Sequence, residues 1–304
     1  MTSPKVSVCI ITYNQEKYIR ECLDGVLMQK VDFPIEVLVH DDASTDGTVE
    51  ILKEYHSHHP DLIRLILQEV NQYTKGIDLF RFCVLPHTTG KYIAVCEGDD
   101  YWTDDTKLQR QFDFMELNNS YSLCCHDCEV SFEGVTPGSG YNWDIKGTFT
   151  FESAFKNHGI ATASIFVRKS MFKSIIRKNI LNLPMSEGDK EDILFALSNG
   201  PGYYMPERMS MKRKNQGSIS RNSFYTKNVL LAGFSVWSRV NDFSPIGMKP
   251  LTQSRLEENI GRIIEKRRNI PKLTLITIVF RGFRLNPRKF SKMIYELTRT
   301  KLKI

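Results

Sequence analysis

The chemistry-bearing residues of this sequence cluster where apolar runs end. Residues 6–11 run into Thr12-Tyr13-Asn14, residues 35–39 lead through His40 into Asp41-Asp42, and residues 92–96 run into Glu97-Gly98-Asp99-Asp100. The last group is the most demanding. Two adjacent carboxylates straight after an apolar run repel each other, so Asp99 and Asp100 require positive charge nearby. Mg2+ or Mn2+ together with a phosphate-bearing ligand meets that need, because these ions take few protein carboxylates and fill their shells with phosphate oxygens and water. The competing reading is that Asp99 and Asp100 cap the turn or helix that follows.

Such residues act together only if the fold gathers them. The runs at 6–11, 35–39, 62–67 and 92–96 have strand length and almost continuous apolar character, as in strands buried on both faces of a parallel sheet. Between them Tyr18, Ile19, Cys22, Leu23, Val26 and Leu27 recur at helical spacing, Val49, Leu52 and Tyr55 mark a second helix, and 78–85 reads as a third. This alternation predicts right-handed βαβ units and a parallel sheet, with ligands beyond the carboxyl ends of its strands. After Trp102 the rhythm changes. A helix is expected at 108–117, a strand at 122–132, a Gly/Pro-rich loop at 134–147, a short strand at 165–167 with a helix after Lys169, and a helix at 193–197. There is no internal repeat.

Composition narrows the class. The 304 residues are 41% hydrophobic and 25% charged, which excludes disordered, collagen-like and disulfide-stapled chains. No apolar run approaches the roughly 20 residues that span a bilayer. Residues 1–5 lack the charged start and apolar core of a signal peptide, so the expected compartment is the cytoplasm. Seven cysteines, several inside apolar segments, read as reduced core residues. Cys124-Cys125-His126-Asp127-Cys128 is not expected to bind zinc, because a strand sends neighbours to opposite faces and no second ligand pair follows at zinc spacing. His56, His58 and His59 end a surface helix and read as solvated.

Three blocks carry a family resemblance: residues 6–14, the stretch Val39-His40-Asp41-Asp42-Ala43-Ser44-Thr45-Asp46-Gly47-Thr48, and residues 90–102 ending in Glu97-Gly98-Asp99-Asp100-Tyr101-Trp102. In this order and at strand ends, the sequence resembles the family 2 glycosyltransferases of GT-A fold over roughly residues 5–218. The resemblance implies an α/β fold with a Rossmann-like, mostly parallel central sheet flanked by helices. Its catalytic domain would span 1–220, with a nucleotide-sugar-binding half at about 1–102 and an acceptor-binding half at about 103–220. A basic, mainly helical C-terminal extension would occupy 221–304. It further implies an inverting, divalent-metal-dependent enzyme that uses Mn2+ or Mg2+. The donor would be a nucleotide-diphosphate sugar, most simply a UDP-sugar, and the acceptor a glycan hydroxyl on a lipid carrier, in bacterial capsule or O-antigen biosynthesis.

Roles follow position by position from the same resemblance. Thr12 and Tyr13 would meet the donor base, Asp42 would accept a hydrogen bond from it, and Asp41 would hold the turn. Asp99 would contact the ribose or the metal and Asp100 would ligate the metal. The family's Asp-x-Asp begins here with Glu97, leaving open which two of Glu97, Asp99 and Asp100 share the ion. The general base is expected within residues 186–195. Asp189 is the first choice, from its Gly-Asp step and its spacing to residues 204–209. Asp192 is the second, and a solvated acidic helix start is the alternative to both. Lys75 and Arg81 would approach the diphosphate or remain ordinary solvated cations. Relatives often carry Arg-x-His after a Met-Ser step. Here Lys212 and Arg213 are present, but Asn215 replaces the histidine. Trp102 reads either as an acceptor-site wall or as core, and Trp143 sits in a candidate lid at 134–147.

Charge is unevenly spread. Residues 251–304 hold 14 Lys+Arg and 4 Asp+Glu, a net +10, whereas 1–250 carry a net −4. Residues 273–280 are apolar but too short to span a membrane, with cations on both sides. Such a segment would lie on an anionic leaflet, or else form a helical appendage packed on the catalytic domain or a second subunit. Nucleic acid is not an expected partner, because no recognised module accompanies the charge; oligomerisation is left open. Two other functions compete with sugar transfer. Nucleotidyl transfer would need a Gly-rich phosphate loop after the first strand, which Thr12-Tyr13-Asn14-Gln15-Glu16 is not. A non-catalytic sugar-nucleotide binder is the other.

Overall fold

A computed structural model describes residues 3–132, 135–138, 146–156, 160–172, 188–214, 227–265, 272–292 and 295. The four apolar runs of the N-terminal half form β1 (Val6–Thr12), β2 (Ile35–Asp41), β3 (Ile63–Leu67) and β4 (Tyr92–Glu97). They pair in parallel in the order β3-β2-β1-β4. Helix α1 (Ile19–Leu27) buries Ile19, Cys22, Leu23 and Val26, and α2 (Thr48–His58) buries Ile51 and Leu52. Burial of each such side chain contributes roughly 1.5–3 kcal/mol, which is why the apolar stripe decides where these helices lie.

Beyond β4 the sheet becomes mixed. The two-residue β5 (Tyr101–Trp102) leads into α3 (Lys107–Leu117) and then β6 (Leu123–Phe132). Strand β7 (Val135–Gly138) folds back antiparallel on β6, so the Gly/Pro-rich stretch begins as a hairpin; Trp143 lies outside the described residues. Next come β8 (Gly147–Phe149), α4 (Phe151–Lys156), β9 (Phe166–Arg168), α5 (Gly188–Leu197) and β10 (Gly202–Lys214). Strand β9 runs antiparallel between β4 and β6, β10 runs parallel to β6, and β5 closes the far edge antiparallel to β10.

Two expected helices are shorter forms. Residues 79–84 make a π-helical turn, started by Asp78 accepting from the Arg81 N–H and followed by a 3-10 turn containing Pro86. After β9 only a 3-10 turn, Lys169–Phe172, forms. The three-cysteine strand is buried on both faces. Cys124, Cys125 and Cys128 are all inaccessible, and burial drops the His126 imidazole to about 3. His58 and His59 are exposed at the end of α2.

The C-terminal part consists of α6 (Lys227–Phe243), α7 (Lys249–Glu265) and α8 (Lys272–Leu285). Its apolar faces do not form a separate core. Leu231, Phe234, Trp237, Ile260 and Ile278 belong to one cluster with Phe151, Val167, Ile193 and Leu197. Phe155 and Trp237 meet edge to face with centroids 5.7 Å apart. A second cluster, including Val8, Ile10, Leu23 and Val39, covers the opposite side of the parallel strands.

Candidate active site

Register brings the three polar strand ends together. Thr12 of β1 pairs with Asp41 of β2, and Ile11 pairs with Glu97 of β4. With strands about 4.8 Å apart, the ends of β2, β1 and β4 fall within about 10 Å of one another. The first two loops are laced together. Asn14 Oδ1 accepts the Thr45 N–H at 2.7 Å, the Asn14 N–H donates to Ser44 Oγ at 2.8 Å, and the Gln15 N–H donates to Thr48 Oγ1 at 2.9 Å. Asp41 accepts the Ser44 N–H at 2.9 Å, the turn-holding role expected of it. The lacing holds Asn14 (φ 52°) and Ala43 (φ 65°) in the left-handed region. A non-glycine residue there costs on the order of 1–3 kcal/mol.

Asp42 is fully buried. Its Oδ1 accepts the Gln72 N–H at 2.7 Å and its Oδ2 the Tyr73 N–H at 3.1 Å, while its own N–H donates to the Thr12 carbonyl at 3.0 Å. One carboxylate therefore fixes the 71–75 segment against the ends of β1 and β2. Tyr13 is 46% exposed beside it, a ring available for stacking. Thr12 Oγ1 is buried and without a hydrogen-bond partner among the described residues.

The acidic turn lies next to them. A Cβ on Gly98 would stand 2.2 Å from Gln15 Oε1 and 2.9 Å from Thr12 Cβ, so only glycine lets this turn approach the end of β1. Asp100 Oδ1 accepts the Arg213 N–H at 2.8 Å. Asp100 Oδ2 is buried, accepts no hydrogen bond among the described residues, and lies 3.9 Å from Lys212 Nζ, which also reaches Glu97 Oε2 at 3.5 Å. Burial pushes the Asp100 carboxyl up to about 8, with Glu97 and Asp99 adding to the rise and Lys212 opposing it; burial also raises Asp99. Among the described residues, Asp100 Oδ2 thus has the Lys212 ammonium nearby but no hydrogen-bond donor. Among the described residues no group of three or more His, Cys, Asp or Glu forms a metal cage. Arg213 braces the turn: its Nη1 donates to the Asp99 carbonyl at 2.8 Å and its Nη2 to Glu21 Oε2 at 2.7 Å, and its guanidinium lies 4.5 Å from the Tyr101 ring centroid.

Asp189 occupies the first turn of α5, and its side chain lies outside the described residues. Asp192, one turn later, pairs with Arg81: Nε donates to Oδ1 at 3.1 Å and Nη2 donates to the same oxygen. Arg81 is therefore not a solvated cation. Its side chain is 5% exposed and also meets Asp78 at 2.6 Å and Glu191 at 3.5 Å. Burial opposes its charge, but Asp192, Asp78 and Glu191 together hold the guanidinium above its ordinary value. Glu191, wholly inaccessible, takes a two-pronged contact from Arg239 of α6, both bonds 2.9 Å. Nothing in sequence spacing links Arg239 to α5. Lys75 is exposed on a 3-10 turn. Trp102 is core: its Nε1 donates to the Ala163 carbonyl at 2.8 Å, and Lys107 Nζ sits 3.8 Å from its ring centroid.

Comparison with known proteins shows the family and the fold. Residues 7–176 match the family model described as Glycosyl transferase family 2. Escherichia coli WfaP, named UDP-Glc:alpha-D-GlcNAc-diphosphoundecaprenol beta-1,3-glucosyltransferase, is 35% identical over 226 residues, 72% of this chain and 81% of that protein. The uncharacterized Mycobacterium tuberculosis protein Rv1520 is 32% identical over 222 residues, 72% of this chain but only 61% of the relative's own length. Among solved structures, Staphylococcus aureus TarS 1–349 in complex with UDP-GlcNAc superimposes with a TM-score of 0.66 at 19% identity, over 95% of this chain and 83% of that one. The mannosyltransferase PcManGT of Pyrobaculum calidifontis, in complex with GDP-Man and Mn2+, gives 0.54 at 16% identity, over 100% and 87%. The fold is GT-A-like, with a helical C-terminal part. The chain belongs to glycosyl transferase family 2.

Proposed function

We propose that this chain is an inverting glycosyltransferase. It transfers a sugar from a nucleotide-diphosphate donor, a UDP-sugar, to a hydroxyl of a lipid-linked glycan in the synthesis of a bacterial surface polysaccharide such as a capsule or O-antigen. The observation that carries this reading is the buried Asp100 Oδ2, which accepts no hydrogen bond among the described residues, on the same rim as Asp42 and Tyr13. Support for the donor and acceptor classes comes from WfaP, whose name gives a UDP-glucose donor and a diphosphoundecaprenol-linked acceptor, and from the UDP-GlcNAc and GDP-Man with Mn2+ in the two structures of similar fold.

In this reading Tyr13 stacks on the base, while Asp42 and Thr12 receive its polar edge. Asp99 and Asp100 hold Mn2+ or Mg2+. When bound, the ion supplies positive charge that stabilises the departing diphosphate. Lys212 adds charge at the same place. Asp189 takes the proton of the acceptor hydroxyl as that oxygen attacks the anomeric carbon on the face opposite the leaving group, which inverts the centre. The ion pair of Asp192 with Arg81 favours Asp189 over Asp192 for this task. The catalytic domain is placed at 1–220 and the basic extension at 221–304.

The extension is further proposed to rest on the inner face of the cytoplasmic membrane. No helix among the described residues is long and apolar enough to cross one. On α8, Ile276 and Phe280 are 51% and 66% exposed and Arg284 is exposed as well; Arg288 and Lys292, also exposed, follow beyond the end of that helix. Apolar side chains beside cations suit an anionic leaflet. Incubation of the protein with a panel of UDP-sugars, Mn2+ and a diphosphoundecaprenol-linked N-acetylhexosamine tests the reading. UDP release that depends on both metal and acceptor is expected; metal-dependent binding of UDP without any transfer would leave a binder, not an enzyme.

A further inference from the structure

The base-bearing helix is gripped from two sides by buried charge. From one side comes Arg81, which lies on the π-helical turn 79–84 of the nucleotide half and faces Asp78, Glu191 and Asp192. From the other comes Arg239 on α6, which gives Nε and Nη2 to the two oxygens of Glu191 and Nη1 to Ser235 Oγ at 2.7 Å. Three acids and two arginines, drawn from segments 110 and 48 residues away from Glu191, thus meet inside the protein. Burying ions in this way is costly unless geometry is good on every side. The fork of two parallel N–H bonds from Arg239 fixes the angle of Glu191 as well as its distance, while Arg81 brings two N–H groups to one oxygen of Asp192.

We infer that Arg81 and Arg239 are positioning residues that set the rotation and depth of α5, and through it the place of the general base. The inference rests on the proposed reading that α5 supplies that base. Glu191 and Asp192 lie on consecutive positions of the helix, so a guanidinium on each holds two different directions and removes freedom of rotation about the helix axis. Arg81 also ties this helix to the donor side. It follows the 71–75 segment by a few residues, and that segment is pinned to Asp42 through the Gln72 and Tyr73 amides. A continuous set of contacts therefore runs from the base-reading carboxylate to the catalytic helix, and on through Glu191 to α6. The C-terminal helices take part in this arrangement through Arg239, whatever else they bind.

The test separates position from folding and from donor binding. In Arg81→Met, turnover per UDP-binding site is expected to fall about 30-fold or more, as a displacement near 1 Å of a reacting group costs. Donor KM and the stoichiometry of UDP binding with Mn2+ should stay within about threefold of the parent. Arg81→Lys keeps the charge without the planar set of N–H donors and should recover part of the loss, and Arg239→Lys should lose activity in the same manner. Adding Asp192→Asn to Arg81→Met should cost far less than the product of the single effects. If Arg81→Met fails to fold, the two lysine variants carry the test, with an expected loss of about fivefold each. Turnover per site equal to the parent in the arginine variants would overturn the inference, and so would a loss lying wholly in donor KM, which would make Arg81 a diphosphate ligand. Asp189→Asn and Asp192→Asn are assayed alongside. If neither lowers turnover, the base reading itself fails; if one does and the arginine variants are neutral, only the positioning inference fails.

Discussion

The backbone N–H of Arg213 donates to Asp100 Oδ1 at 2.8 Å across a separation of 113 residues. That bond exists because β10 pairs with the two-residue β5, at Ser210 with Trp102 and Met211 with Tyr101, directly after the acidic turn. One oxygen of Asp100 is thereby engaged with the backbone, while the other faces Lys212 at 3.9 Å and accepts no hydrogen bond among the described residues. Asp100→Asn keeps an acceptor for the Arg213 amide but removes the anionic oxygen. Metal-stimulated turnover is expected to drop at least about 100-fold, with a melting temperature within a few degrees of the parent. Undiminished manganese stimulation in this variant would remove Asp100 from the metal site.

The choice of base can be read from two matched variants. Asp189→Asn should lower kcat by about 10²–10⁴-fold while UDP binds as before. Asp192→Asn should do less, acting through the ion pair with Arg81. Steady-state kinetics normalised to UDP-binding sites decides the matter, and the reverse order of effects would transfer the role to Asp192.

Lys107 offers a pH-dependent check on the core. It is inaccessible, lies over Trp102 and has no hydrogen-bond partner for Nζ among the described residues. Burial brings its ammonium from 10.5 down to about 7. Between those values the unfolded chain holds a proton that the folded chain has released, so this group makes stability rise with pH, by up to about 1.4 kcal/mol per unit. Below about 7 both states are charged and the penalty is complete. Lys107→Met should therefore be more stable than the parent at pH 7, with the advantage shrinking as pH approaches 10. Urea unfolding at several pH values measures the gap, and a gap independent of pH would contradict the assignment.

The exposed face of α8 predicts lipid dependence. Ile276→Asp with Phe280→Asp should abolish co-sedimentation with vesicles rich in anionic lipid while leaving UDP binding unchanged. Binding that persists in this double variant would place membrane contact elsewhere or nowhere.

How much of this was legible in the sequence depended on whether the cause was local. Residues 6–11 and 92–96 announce their strands because burial on both faces leaves almost only apolar residues there, and the acids that follow are conspicuous for the same reason. The bond from Arg213 to Asp100 leaves no such trace, since a two-residue strand has no periodicity. Helix α5 was legible only from Ile193 onward. The acidic stretch before it reads as the source of the general base, with a solvated helix start as the alternative, and neither reading places Glu191 fully buried against Arg239, because a pairing partner 48 residues away is invisible to any helical spacing. Arg81 was hidden in the same way: a cation on a short segment looks solvated until the fold surrounds it with Asp78, Glu191 and Asp192.

The measurement that bears most directly on the shared rim is UDP binding by calorimetry with and without Mn2+, on the parent and on Asp42→Ala and Asp100→Asn. The account predicts tight binding only when metal is present, weakened at least tenfold by either substitution, because a ligand spanning both carboxylates loses about 1.4 kcal/mol or more with each. Binding of UDP that ignores manganese and both substitutions would show that the ends of β1, β2 and β4 do not form the donor site.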